Sequence, residues 1–339
     1  IMTNALKKVG KHHNPHTIIT TVNRDNLKNN TTTSCTQQEI KETYNFYAMD
    51  TLISISFYNV ENSKAIAKEV ENIYLTYERV ADDFEPGSTE VNVYALNILR
   101  EADINEELKE MLEFSIEMME QTKGYFNPFI GRLSHLWKEF LGEGKLVEDK
   151  IIQEELLIMN ETSLELDGLH AKLIGEGNID LGGVAKGYAT SRAQEYLDSI
   201  DCHFYLLNAG SSNIVLGNKN GKNFTVGLSK ATGTGYFETL SLKEKAISTS
   251  SIKEQQTIIE GKIYSHLLNP RTGYPVVEYD TLSIIGLDSK VLDAYSTAGF
   301  AMGLEELKSF LEEKGLDFIV SKENKTLYKS VGMTAYEKD

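Results

Sequence analysis

Cysteine is scarce: only Cys35 and Cys202 occur in 339 residues. Two thiols exclude a disulfide framework and a cysteine-based zinc site. Long apolar runs are also missing. The first noticeable one, TLISISF from Thr51, is far too short to cross a bilayer. No signal-peptide core is visible, nor a lipidation sequence with an apolar stretch ahead of Cys35. Basic residues are outnumbered, 34 against 50 acidic, for a net charge of -16. That balance argues against a non-specific nucleic-acid binder, whose affinity comes from neutralising phosphates. A local basic pocket for a phosphorylated ligand is still compatible with it. The GK[ST] ending of a P-loop and the spaced glycines of a dinucleotide fingerprint are both lacking.

What is there is the composition of a soluble globular protein, 41% hydrophobic and 25% charged. Residues 1–43 stand apart. They are Asn-, Thr- and Lys-rich around NNTTTSCTQQ, lack periodicity, and read as a disordered polar spacer. His12, His13 and His16 fall in this segment, where a flexible tail would not pre-orient metal ligands. Residues 44–339 read as one α+β domain with no internal repeat. TLISISFY alternates as a half-buried strand should. Ser63 is expected to cap a helix with Ile66, Val70, Ile73, Tyr77 and Val80 on its apolar face. Asn105 caps a second, carrying Leu108, Leu112 and Met119, which Gly124 ends. LLNAGSSNIVLG and NFTVGLS read as strands separated by an Asn220–Gly221 turn. Two helices over 290–303 and 304–314 precede a last hairpin around FIVSKENKTLYKS.

Four segments can carry chemistry. In DLGGVAKGYA (180–189) two glycines and Lys186 join a strand-like stretch to a helix start. A helix start offers unpaired N–H groups to an anion, and Lys186 adds a point charge. The plainer alternative is a tight turn with a solvated lysine. In YSHLLNPRTGYP (264–275), Pro270 and Gly273 make a rigid loop that would hold His266 in place. His266 is either a packed residue or a reactive one, and Arg271 a carbonyl cap or a carboxylate partner. In KVLDAYSTAGFAMG (290–303), Asp293 and Thr297 lie four apart, on one helical face. Two short oxygen side chains so placed can share a hard cation such as Mg²⁺, or simply belong to a packing face. In KGYFNPFIGRLSHLW, Tyr125, Phe126, Phe129 and Trp137 line a flat apolar cleft or fill the core.

The order of these segments resembles that of the ApbE family, the FAD:protein FMN transferases. The landmarks are MDT (49–51), GYFNP (124–128), DLGGVAKGYA (180–189), STS…SHLLNPRTGYP (248–275) and DAYSTA (293–298). The resemblance implies two intertwined α/β subdomains with mixed or antiparallel sheets and an FAD cleft between them. It implies that Asp180 and Lys186 contact FAD, with Met49, Phe84, Tyr125, Phe126, Asn127 and Leu267. Gly183, by its carbonyl, and Asp293 and Thr297, by their side chains, match positions that hold Mg²⁺. His266, with Asp293 and Lys186, matches positions linked to activity. The implied reaction moves FMN from FAD to a threonine hydroxyl of an acceptor protein and releases AMP. The alternatives are an FAD pyrophosphatase giving FMN and AMP, or a non-catalytic FAD-binding protein. The implied location is extracytoplasmic, on a membrane tether not visible in this sequence. Departures from the family pattern are Phe84 for Tyr, Asn127 and Asn269 for Asp, Ser191 for Asp, and AGSSN (209–213) for a Gly-Gly-Asp/Asn version. SKATGT (229–234) lacks parts of the family's acceptor signature, so self-modification is not expected.

Overall fold

A computed structural model describes residues 19–22 and 40–337, except 254, 255 and 277. In chain order the first half runs β1 (Ile19–Val22), β2 (Lys41–Ala48), β3 (Thr51–Tyr58), α1 (Ser63–Ala81), α2 (Val93–Leu99), β4 (Glu101–Asp103), α3 (Glu106–Gln121), α4 (Gly131–Gly142), α5 (Asp149–Asn160), β5 (Ser163–Asp167) and β6 (His170–Ile174). The second half runs α6 (Ala185–Ser199), β7 (Tyr205–Ala209), β8 (Asn213–Leu216), β9 (Phe224–Ser229), β10 (Tyr236–Leu242), β11 (Lys245–Ser251), β12 (Gln256–Ile259), β13 (Lys262–Ser265), β14 (Thr281–Gly286), α7 (Ser289–Phe300), α8 (Leu304–Glu313), β15 (Asp317–Lys322) and β16 (Lys325–Lys329). A 3₁₀ turn over Val331–Tyr336 follows.

Nine strands form one sheet in the order β1-β2-β3-β7-β8-β11-β14-β15-β16, and every neighbouring pair is antiparallel. A three-stranded sheet, β4-β6-β5, and two ribbons, β9–β10 and β12–β13, complete the α+β architecture. The only parallel pairing among the described residues is the isolated bridge between Ile130 and Asn178, so the sheets are antiparallel, not mixed. One apolar cluster joins strands from β2 to β15 with helices from α1 to α8. A smaller one covers the other face of the large sheet, with Phe224, Val226, Leu240 and Met333. This second cover explains a departure from simple alternation. From Ile55 to Tyr58, β3 is buried on both faces, and Ser56 is sheltered with its hydroxyl 2.8 Å from that of Thr43.

Helix α1 forms as expected, with Val70, Tyr77 and Val80 buried, but its stripe is rotated slightly: Ala67, Glu71 and Tyr74 are buried while Ile66 and Ile73 are only partly so. The expected cap does not form. Asn62, at φ 56°, occupies the cap position, and the Ser63 hydroxyl is drawn instead to Glu42 and to Tyr44, 2.9 Å away. Asn105 does cap α3, its side chain accepting from the Leu108 N–H at 2.9 Å. Gly124 ends that helix at φ 80°. LLNAGSSNIVLG is two strands, not one. It folds back at Gly210 and Ser211, both at positive φ, and β8 then pairs with β7 and β11. The Asn220–Gly221 turn leads out of the large sheet into the β9–β10 ribbon. Of KLIGEGNIDL, only the start is strand; the rest is irregular chain leading to α6.

The segment 1–43 is not wholly a spacer: Ile19–Val22 pairs with β2, whose first residue is Lys41. The rest of the segment, with His12, His13, His16 and Cys35, lies outside the described residues. Cys202 is buried as a free thiol. Among the described residues no helix is long and apolar enough to cross a membrane.

Candidate functional site

A cavity of about 760 Å³ opens where the β2–β3 hairpin, the start of α4, the corner before α6, strand β11, the 266–270 loop and α7 converge. Every residue assigned from the sequence lies on its wall: Met49, Phe84, Tyr125, Phe126, Asn127, Asp180, Gly183, Lys186, His266, Leu267, Asp293 and Thr297. These positions span nearly 250 residues of chain, so tertiary packing, not local spacing, assembles the site. A shallower groove of about 460 Å³ between α1, α3 and α6 contains none of them.

Asp293, on α7, is only 7% exposed. One carboxylate oxygen accepts the Gly187 N–H of α6 at 2.7 Å, and the other accepts the Ser248 hydroxyl of β11 at 3.1 Å. Ser248 and Ser250 reach Ser296, so buried hydroxyls back the carboxylate. Burial pushes the Asp293 carboxyl above its usual range, while Lys186 and these hydrogen bonds pull it down. The open N–H at the start of α6 therefore has an anion already, and it belongs to the protein. The α6–α7 approach requires glycine at 187, because a Cβ there would lie 2.3 Å from the Asp293 Cβ.

One turn along α7, the Thr297 hydroxyl donates to the Gly183 carbonyl at 3.2 Å. The Gly182–Gly183 corner is shaped by Asp180. Its two carboxylate oxygens accept the Gly182 N–H at 2.7 Å and the Ser134 hydroxyl at 2.6 Å. Asp293, Thr297 and Gly183 thus bring a carboxylate, a hydroxyl and a carbonyl to one wall, all hard oxygen donors. Among the described residues no group of three or more His, Cys, Asp or Glu side chains is placed to hold a metal ion. A cation on this wall would take the remaining ligands from solvent or from a ligand's phosphates. That donor set fits Mg²⁺ and does not fit a thiophilic metal.

His266 follows β13 directly, is exposed, and faces the cavity, so the packed-residue alternative does not hold. The following loop is rigid as expected. Asn269 accepts the Arg271 N–H at 2.9 Å, and Gly273, at φ 78°, closes the turn. Arg271 does both things expected of it. It donates to the Lys123 carbonyl at 2.9 Å and lies 4.0 Å from Glu306, with its guanidinium 3.7 Å over the Tyr125 ring. Tyr125, Phe126 and Trp137 are buried in the core yet line the cavity; Phe129 is core alone. Met49 sits at φ 52° in the two-residue β2–β3 turn, its N–H held by Glu78 at 2.7 Å.

Several departures have local reasons. The Asn269 amide donates to the Ala301 carbonyl, which a carboxylate cannot do. Ser191 donates to Asp288, the α7 cap, where an aspartate would repel it. Asn127 accepts the Phe129 N–H at 2.9 Å, as an aspartate would, so that bond does not explain the exchange. Thr232 of SKATGT pairs with Asn324 at 2.7 Å and is not on the cavity wall. The sequence reading missed Asp83, Ser134, His135, Lys138 and Ser250, which also line the cavity. His135 stood in the quoted SHLW stretch, but nothing local pointed to Asp83 as its partner.

The sequence profile of the ApbE family matches residues 49–320. A Klebsiella pneumoniae (strain 342) protein named FAD:protein FMN transferase is 29% identical over 187 residues, 53% of this chain and 58% of that protein. Proteins of the same name from Treponema pallidum (strain Nichols) and Chlamydia pneumoniae are 25% and 24% identical. They cover 68% and 75% of this chain and 69% and 82% of their own lengths. The chain therefore spans little more than half of the first of these relatives and more of the others. Among solved structures, an ApbE protein from Thermotoga maritima superimposes with a TM-score of 0.79 at 24% identity, covering 89% of this chain and all of the other. The flavin transferase ApbE from Vibrio cholerae gives 0.72 at 18% identity, covering 88% and all. Both share the fold.

Proposed function

The chain belongs to the ApbE family, and from that membership we propose that it moves FMN from FAD to a threonine hydroxyl of an acceptor protein, releasing AMP. The observation that carries the reading is the meeting of Asp293, Thr297 and the Gly183 carbonyl beside Lys186 in one cavity. Diphosphate oxygens would complete the coordination of Mg²⁺ there, and the bound ion would offset charge on the departing phosphate. The chain's own groups account for the rest. Lys186 supplies a fixed positive charge beside the diphosphate. The Tyr125 and Phe126 rings give the apolar wall a planar ring needs. In the transfer step the threonine oxygen bonds to the FMN phosphorus, and the bond from that phosphorus to the AMP oxygen breaks. The hydroxyl proton passes to a base, for which His266 is the exposed candidate on the cavity wall. We place this work outside the cytoplasm on a tethered form of the protein, which fractionation of native cells would check.

The test mixes the chain, FAD, Mg²⁺ and an acceptor bearing a threonine motif, and weighs both proteins. An acceptor heavier by one FMN, no mass change on the chain itself, and loss of reaction in EDTA are expected. Free FMN with an unmodified acceptor would replace the proposal with the pyrophosphatase reading. FAD retained uncleaved would favour a binding protein. His266→Ala is expected to slow transfer about 100-fold, with FAD affinity changed less than about threefold. An unchanged rate would remove His266 from the chemistry.

A further inference from the structure

At the rim of the cavity, away from the oxygen donors, four side chains form a stack. The loop after α1 is pinned by Asp82, whose carboxylate accepts the N–H groups of Phe84 and Glu85 at 2.8 and 3.2 Å. That loop presents Asp83, 10% exposed at its side chain, to His135 of α4, with the carboxylate 2.6 Å from Nε2. The imidazole in turn lies against the Phe84 ring, centroids 4.6 Å apart and planes within 18°. Lys138, one helical turn along α4, sets its ammonium 4.2 Å from the centre of the same ring. Phe84 is nonetheless 53% exposed and lines the cavity, so part of a ring flanked by a histidine and a lysine is open to it.

Resting on the FAD reading of the cavity, we infer that Asp83 and His135 are a positioning pair for Phe84, holding a positively backed aromatic shelf against which a planar ring of the dinucleotide lies. The carboxylate fixes the imidazole, the imidazole fixes the phenyl ring, and the Lys138 ammonium lies over that same ring. A bare phenylalanine on a surface loop would sample several rotamers, and ligand binding would then have to order it. The pair removes that cost. Cations beside an aromatic ring add attraction of their own, and they favour a ligand carrying a diphosphate.

The groups that face His135 are Asp83 from the loop after α1, Asp180 from the corner before α6, and Lys138 on its own helix. The hydrogen bond that His135 donates to Asp83 is the largest influence and lifts the imidazole above its ordinary range, with Asp180 in support and Lys138 and burial opposed. Burial lifts the Asp83 carboxyl too, against the pull of its His135 hydrogen bond, so the ion pair is strongest at pH values between the raised carboxyl range and the raised imidazole range. Because the imidazole value is raised on folding, its contribution is complete below the ordinary imidazole range. It is lost as pH climbs through the raised value.

The chain's single tryptophan, Trp137, lines the same cavity and reports binding by quenching, without metal or turnover. FAD affinity in EDTA is expected to fall roughly fivefold between pH 6 and 8.5, an interval over which its diphosphate charge is constant. Asp83→Asn should move the midpoint of that fall down toward the ordinary imidazole range. His135→Phe keeps a stacking face but cannot titrate, so its affinity should be flat and match the high-pH value of the parent. In turnover assays the effects should appear in KM and leave kcat nearly unchanged. A parent affinity independent of pH, or an Asp83→Asn midpoint that does not move, would overturn the pair's role while leaving the FAD reading intact. Failure of FAD to quench any form at any pH would overturn both.

Discussion

Asp293→Ala is expected to lower metal-dependent turnover by about 10³-fold while FAD affinity stays within a few fold. The carboxylate is nearly inaccessible, held by the Gly187 N–H at 2.7 Å and the Ser248 hydroxyl at 3.1 Å, one turn along α7 from Thr297, which reaches the Gly183 carbonyl. Through the Mg²⁺ it would hold, this carboxylate would set positive charge where phosphate charge builds in the transition state, and losing one such stabilising element commonly costs two to three orders of magnitude. Alanine also strands the Gly187 N–H, at about 1–3 kcal/mol of stability. Asp293→Asn separates the two effects. Its amide oxygen can still accept from Gly187, so the fold should keep its Tm while turnover is lost. Steady-state kinetics with and without Mg²⁺, beside thermal melts, make the comparison. Asn and Ala variants that both keep turnover within tenfold of the parent would end the metal-wall assignment.

Gly187→Ala is the second large effect. A methyl at 187 would sit 2.3 Å from the Asp293 Cβ and 2.8 Å from both the Asp293 carboxylate and the Ser289 carbonyl. Two of the three obstacles belong to the helix partner's rigid part, so α6 and α7 must part to admit it. Overpacking of this severity costs about 3 kcal/mol, roughly 5–10 °C in Tm for a domain of this size. Asp293 would be displaced with its helix, so turnover should fall with stability. Gly142→Ala, at the end of α4 with nothing within 4 Å, is the control and should be neutral or slightly stabilising. Equal melts for Gly187→Ala and the parent would mean that the helices do not approach as described.

What could be read in advance follows a physical line. Asp293 and Thr297 share a face because a helix repeats every 3.6 residues, and the spacing alone implies it. Asn105 as a cap, Gly124 as a stop and the rigidity of LNPRTG are likewise local chemistry. The contacts that finish the site are not local. Nothing near Gly187 announces that its N–H will meet a carboxylate on α7, and nothing near His135 announces Asp83, on a loop preceding it by some fifty residues. The double burial of β3 was hidden for the same reason, since its second cover comes from β9 and β10. Ser63 failed as a cap because Glu42 and Tyr44, brought in by the sheet, competed for its hydroxyl.

The bond between Gly187 and Asp293 joins residues 106 apart. During synthesis the glycine–lysine corner leaves the ribosome several seconds before its carboxylate partner, at ordinary elongation rates. Until α7 emerges, the glycine–lysine corner lacks the carboxylate that accepts its Gly187 N–H and the hydroxyl that reaches its Gly183 carbonyl. On the proposed reading, capture of the nucleotide would wait until α7 has been made.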